Sequence, residues 1–176
     1  MDRGSYPSKP PFVFKKISQR LTDVFHQESF ESMRGEKSKL RTYALFKKQT
    51  GLEPYLSEIS NTLIRNCVTR FRLSNHKLMI EVGRHQGLEN REERVCPFCP
   101  QSIEDEAHFL LSCPVYRFQR QKFLDPITTK SREFLQLSEG QKIELLMCKM
   151  DQNVCQFIFN SMEIREFLVN SPKRHM

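Results

Sequence analysis

The sequence contains no tryptophan and only six glycines among its 176 residues. It has no Gly-x4-Gly-Lys-Ser/Thr phosphate loop, no His-Glu-x2-His helix and no Gly-x-Ser-x-Gly elbow. Those absences exclude the usual sequence signatures of nucleotide hydrolysis, zinc proteolysis and serine hydrolysis. A zinc deaminase needs His-x-Glu ahead of Pro-Cys-x2-Cys. Here Val95 precedes Cys96, and His85 is followed by Gln86 and Gly87. A cross-braced RING would need a second ligand set, for which only His76 and His85 stand near enough. No stretch approaches the roughly 20 apolar residues that span a bilayer. Residues Met1 to Pro10 show neither the apolar run nor the cleavage pattern of a secretory signal. The expectation is an intracellular protein, nuclear or cytoplasmic, without a membrane partner and without catalytic activity of its own.

What is present is ordinary in amount and uneven in arrangement. Apolar content of 38% and charged content of 28% are those of a soluble globular chain. A chain this long can bury roughly 70% of its unfolded surface, enough for a core. Lys and Arg outnumber Asp and Glu by 28 to 21, a formal net charge of +7. That balance favours acidic partners such as nucleic acid, though solubility alone explains many basic proteins. Of six cysteines, Cys67, Cys148 and Cys155 stand apart, while Cys96, Cys99 and Cys113 cluster. Such spacing is that of metal ligands rather than of a disulfide framework.

Hydrophobic periodicity predicts helices and no alternating strand, so the fold class is mainly α: a small helical domain with an inserted structural zinc knuckle. Phe14, Ile17, Leu21 and Phe25 recur at helical spacing within Phe12 to Phe30. Residues 1–10 are Pro-, Ser- and Lys-rich and read as disordered. Glu31 to Lys37 reads as a linker, and Leu40 to Lys48 as a short helix ended by Gly51 and Pro54. Asn61 to Leu73 is the clearest helix, with Leu63, Ile64, Cys67, Val68 and Phe71 on one stripe and Arg65, Thr69 and Arg72 about opposite. His76 to Val82, Val115 to Phe123, Gln141 to Met150 and Asn153 to Leu168 complete the helical set. The last carries Val154, Phe157, Ile158, Met162 and Phe167 largely on one side, with Cys148 and Cys155 expected in the core. The organisation is a flexible N-terminal segment with a possible helix (1–37), a basic helical region (38–95), the knuckle (96–113), a C-terminal helical region (114–170) and a basic tail (171–176).

The knuckle reads Cys-x2-Cys-x8-His-x4-Cys, with Cys96, Cys99, His108 and Cys113 as candidate ligands. Zinc takes four soft or borderline ligands in a tetrahedron. Two cysteines two residues apart can point both sulfurs inward from one tight turn, and Pro97 presets part of that turn. Pro100, where a glycine N–H often reaches a sulfur, has no N–H to give. Ser102-Ile103-Glu104-Asp105 fits a capping box, and Glu104, Asp105 and Glu106 suit the positive end of the helix that follows. Three thiolates and a neutral imidazole give the site a charge near −1, which Arg94 and Arg117 are positioned in sequence to offset. Four protein ligands close the coordination sphere, so the zinc is expected to be structural.

Several further segments, in order, carry a resemblance. They are Lys39-Leu40-Arg41-Thr42-Tyr43, Phe46-Lys47, Glu53-Pro54-Tyr55-Leu56 and Arg70-Phe71-Arg72-Leu73-Ser74-Asn75-His76-Lys77-Leu78. Ile80-Glu81, Gly83-Arg84, Glu106-x-His108-Phe109 and Cys113-Pro114-x-Tyr116 follow. Together they resemble the carboxyl-terminal region of non-long-terminal-repeat retrotransposon polyproteins of animals, over residues 38 to 120. The resemblance implies a region that follows a reverse-transcriptase core and helps bind element RNA or target DNA, with its knuckle ligands at Cys96, Cys99, His108 and Cys113. No Tyr-x-Asp-Asp polymerase signature or endonuclease motif is present, so the chain looks like a fragment or host-coded remnant, and polymerase activity does not carry over.

Two functions stay open. One is a zinc-dependent nucleic-acid-binding module that contacts phosphates of RNA or DNA. Its candidate contacts are Arg65, Arg70, Arg72, Lys77, Arg84 and Arg94 upstream of the knuckle, with Arg91 beside them, and Arg117 and Arg120 downstream, with Lys122. Phe98 would stack on an unpaired base. The other is a protein-interaction or purely structural zinc domain, in which Phe98 packs on the knuckle, the arginines form a solvated face and a protein is the partner. An acidic patch at Glu104 to Glu106 weighs against nucleic acid on that face.

Overall fold

A computed structural model describes residues 11–34, 40–47, 51–129 and 132–171. Among them the chain is mainly helical, with one two-stranded hairpin. The helices are α1 (Pro11–Arg34), α2 (Arg41–Phe46), α3 (Tyr55–Glu58), α4 (Thr62–Arg72) and α5 (Met79–His85). Then come β1 (Val95–Cys96) and β2 (Cys99–Ile103), and a π-type turn over His108–Ser112. A continuous winding segment from Pro114 contains α6 (Arg117–Gln119) and α7 (Asp125–Thr128). The chain closes with α8 (Arg132–Gln136), α9 (Glu139–Lys149) and α10 (Gln152–Asn170). No helix of the described residues is long and apolar enough to cross a membrane. The expected disordered start, part of the linker and most of the basic tail lie outside the described residues. Helix α1 runs four residues past Phe30, into that linker.

Local chemistry explains the ends of the two central helices. Asn61 caps α4, its side chain accepting from the N–H groups of Leu63 (2.9 Å) and Ile64 (3.3 Å). At the other end Ser74 takes a left-handed conformation (φ 51°). The Asn75 N–H then returns to the Arg70 carbonyl at 2.8 Å, closing orphan groups of the last turn. Asp151 caps α10 through the Val154 N–H at 3.0 Å, directly after Met150 turns the chain at φ 33°. Ser138 and Gln141 form a reciprocal capping box on α9.

Helices α4 and α10 pack together, and the knuckle sits across them. Phe109 is the hub, with ring centroids 5.3 Å from Phe71, 4.8 Å from Tyr116 and 5.7 Å from Phe157. Three of these rings come from three different segments beside the knuckle, so the metal-site turn is part of the main core rather than an appendage. Rings at such separations add to simple area burial.

Several sequence expectations change here. Helix α4 is covered on two sides, so Arg72 does not lie on a solvated face. It is buried, pairs with Glu53 at 2.8 Å, donates to the Met147 carbonyl, and stands over the rings of Phe46 (4.4 Å) and Tyr55 (5.2 Å). Leu63, assigned to the apolar stripe, is 68% exposed, as Phe167 is 72% exposed on α10. Cys155 is buried as expected, its thiol pushed up to about 12 by burial. Cys148 is instead exposed, with its thiol 3.6 Å from the Phe46 carbonyl.

Candidate metal centre

The hairpin brings the first two ligands together. Cys96 pairs with Cys99 across a turn made by Pro97 and Phe98. The backbone N–H groups of Phe98 and Val115 favour the thiolates of Cys96 and Cys113 respectively. These amides occupy the role that Pro100 cannot fill. Phe98 itself is half-buried against the core.

The second pair depends on the π-type turn. Cys113 lies five positions after His108, which on a regular α-helix would set them about 140° apart. Here the Cys113 N–H donates to the His108 carbonyl at 2.8 Å, an i to i+5 closure that widens the turn and brings both side chains to one side. The turn starts at Asp105, whose carboxylate accepts from the His108 N–H at 2.9 Å. The capping box expected at Ser102 does not form, because Ser102 belongs to β2.

The result is a closed cluster. Ligand atoms of Cys96, Cys99, His108 and Cys113 all lie within 4.8 Å of one another. The sulfurs of Cys99 and Cys113 are 3.8 Å apart, the edge of a tetrahedron whose metal–sulfur bonds are about 2.3 Å. His108 is turned for ligation. Its Nδ1 is 3.2 Å from the Ser112 hydroxyl, while its buried Nε2 has no protein partner. A ligating imidazole has one nitrogen held and the other facing the metal. Hydrogen bonding with Cys113 brings the Cys96 thiol down to about 5, with burial opposing and the Phe98 N–H assisting. The same contact and burial push Cys113 up, and burial raises Cys99. Three thiols thus contend for protons in one small space, a donor set suited to a soft or borderline cation. The residues fit a closed four-ligand metal site.

The surroundings differ from the sequence expectation. Glu104, Asp105 and Glu106 are not an acidic surface patch. Glu104 is buried and takes a bidentate bond from Arg165 of α10, both contacts at 2.7 Å. It also accepts the Met79 N–H at 2.7 Å, and its own carbonyl accepts the Ile80 N–H at 3.0 Å. One residue thereby ties the end of β2 to the start of α5 and to α10. Glu106 is buried beside His76 Nε2 (3.1 Å) and the Ser74 hydroxyl (3.4 Å). Burial would raise its carboxyl, but the contacts with His76 outweigh that and hold it below the usual range. His76 is therefore a packed side chain paired with Glu106, not part of a second ligand set. Asp105 pairs with Arg91 at 2.5 Å.

The cations near the thiols are also not those expected. Arg94 is buried and donates to the carbonyls of Ile80, Leu88 and Glu89. Its stem crosses Gly83 so closely that a Cβ there would come within 2.7 Å of it. Arg117 is exposed. Arg120 instead donates to the carbonyls of Cys113 and Phe109, and Arg165 comes near Cys96 through Glu104. Burial lowers the Arg120 guanidinium while the Cys113 thiol opposes that shift.

The arginines and lysines proposed as phosphate contacts therefore separate. Arg72 and Arg94 are interior and cannot reach a phosphate. Arg65 and Arg120 are half-buried and donate to chain carbonyls. Arg84 is half-buried 3.7 Å from Glu81. Lys77 is exposed and pairs with Glu166 at 2.5 Å. Arg70 and Arg117 are exposed. Sequence reasoning missed Ser112, Glu104 and Arg165 as supports of the site. Ser112 alone had a local signal, four residues after His108 and thus one helical turn away. Compared with protein families, curated proteins and solved structures, the chain matches none.

Proposed function

We propose that the chain is a zinc-dependent nucleic-acid-binding module, built like the carboxyl-terminal region of a non-long-terminal-repeat retrotransposon polyprotein. The observation that carries the zinc is His108 Nε2, buried and unpartnered among three cysteine sulfurs. Zinc is the ion for which a thiolate-rich, closed tetrahedral set of this kind is typical. It would be held by Cys96, Cys99, His108 and Cys113, and its chemistry there would be structural. The chain's own residues then present the surface. The net charge of +7 and the exposed Arg70, Arg117 and Lys122 support phosphate contact, with salt-sensitive affinity and little sequence preference.

Two observations favour a second reading, a protein-interaction or structural zinc domain. Arg72, Arg94 and Arg165 are buried, and Phe98 packs on the core instead of standing ready for a base. Fluorescence anisotropy of the metal-loaded chain with single-stranded RNA, single-stranded DNA and duplex DNA separates the two. Nucleic-acid binding predicts affinity that falls steeply between about 50 and 200 mM salt. Arg70→Glu with Arg117→Glu should weaken it by at least about tenfold and flatten the salt dependence by roughly two charges, with metal content unchanged. Affinity unmoved by that pair removes these side chains from the contact surface. No binding to any probe by folded, metal-loaded protein selects the second reading.

A further inference from the structure

Phe118, on α6, is the most exposed large apolar side chain of the described residues, at 79%. A single exposed apolar residue is ordinary on a protein surface; this one differs in how it is held and in what surrounds it. Its backbone is fastened on the inner side. Tyr116 and Leu124 are buried, the Asn160 amide of α10 meets the Gln119 side chain at 3.5 Å, and Arg120 donates to the carbonyls of Cys113 and Phe109. The outer side is left to Arg117, Phe118, Gln121 and Lys122, all exposed. The ring therefore stands on a segment tied to both the knuckle and α10, and Arg120 makes that tie through a metal ligand's own carbonyl.

Charge decides the occupant. From Pro114 to Leu124 the chain carries Arg117, Arg120 and Lys122 and no carboxylate. The other exposed phenylalanines have different company: Phe14 and Phe25 lie among apolar residues of α1, and Phe167 follows Glu166 and precedes Leu168 and Val169. A protein partner's apolar anchor is met by a contiguous apolar patch, whereas the exposed neighbours of Phe118 in this segment are two cations and an amide. A duplex keeps its base faces stacked on one another. An unpaired base offers a flat face to the ring, an edge to the Gln121 amide and flanking phosphates to the cations. We infer that Phe118 is a stacking platform for one unpaired base of single-stranded RNA or DNA, with Arg117 and Lys122 on the adjacent phosphates. This assignment rests on the nucleic-acid reading and gives it a site that Phe98, packed on the core, does not provide.

The test uses the full metal-loaded chain with oligouridylate, oligothymidylate and duplex DNA of about 12 nucleotides. Phe118→Ala should weaken binding to the single strands at least about fivefold, the loss of one stacked base. It should leave duplex affinity, metal content and melting temperature as they were. It removes no cation, so the salt dependence should keep its slope, while Lys122→Glu should flatten it. The chain has no tryptophan, so Phe118→Trp adds a single indole reporter. That variant should bind single strands at least as tightly as wild type, with emission quenched to saturation by oligouridylate or oligothymidylate and unchanged by the duplex. The two single-strand probes tell which nucleic acid is preferred. Single strands bound equally by wild type and Phe118→Ala, with the indole emission unmoved, would overturn this site and leave the nucleic-acid reading standing. An equal loss on duplex and single strands would also overturn it, since stacking on an unpaired base would not be its cause. No binding of wild type to any probe would overturn both.

Discussion

Treating the purified chain with a chelator should unfold the segment from Val95 to Tyr116 and loosen the core around it. The segment has a two-stranded hairpin of seven residues and one π-type turn, too little regular structure to hold four polar side chains together unaided. Apparent zinc-binding free energies in finger peptides are about 10–16 kcal/mol, while a whole domain is stable by about 5–15 kcal/mol. Losing the metal therefore removes an amount comparable to the entire stability. Phe109 transmits the loss, because its ring joins the knuckle to Phe71, Tyr116 and Phe157. Circular dichroism and amide exchange with and without chelator check this. The expected result is a melting transition that broadens or disappears, with protection lost first at Cys96 to Cys113. A metal-free melting temperature within a few degrees of the loaded one would mean that the cluster is held by packing alone.

The second large effect is expected at Glu104 and Arg165. Their bidentate pair is buried at both ends, with side-chain exposures of 1% and 6%. Removing one partner of such a pair leaves an uncompensated charge in the interior and costs about 3–5 kcal/mol. Glu104→Ala strands the Arg165 guanidinium and also takes the acceptor from the Met79 N–H. For a chain of this size the loss corresponds to a melting temperature lower by about 10–15 °C. Arg165→Ala should do nearly as much. Replacing both by apolar side chains, Glu104→Leu with Arg165→Met, should recover part of the loss, because no buried charge is left unpaired. The Lys77–Glu166 pair is the control. It is exposed, with side-chain exposures of 66% and 50%, so solvent screens it and Lys77→Ala should leave the melting temperature where it was. If Glu104→Ala melts with wild type, the pair does not anchor the knuckle to α10.

These two sites differ in how far the sequence disclosed them. The four residues of the candidate metal site were legible because spacing within eighteen positions is local information, and the structure brings all four ligand atoms within 4.8 Å of one another. The main helices were legible for a similar reason: Val68 and Phe71 on α4, or Val154, Phe157 and Ile158 on α10, repeat with the helical period. What escaped was set by distant contacts. Glu104 and Arg165 lie 61 positions apart, and an acidic run before a histidine looks the same whether it faces water or an arginine. Arg72 was assigned to a solvated face because periodicity marks one buried stripe, and α4 has two covered sides. The rings of Phe46 and Tyr55 that make the second cover come from segments preceding α4. The π-type closure from Cys113 to His108 also left no mark in composition, although it is what brings those two ligands to one side. The hairpin of β1 and β2 is too short for any alternation to show.

The central claim is a closed zinc site of three thiolates and one imidazole. The most direct test is X-ray absorption at the zinc edge, with metal content, on the full chain purified without chelator. The expected result is about one zinc per chain, with three sulfurs near 2.3 Å and one nitrogen near 2.0–2.1 Å. Cys96→Ser with Cys99→Ser should abolish it. A chain without zinc, a first shell containing water or carboxylate oxygen, or zinc retained in the same environment after that double substitution would contradict it.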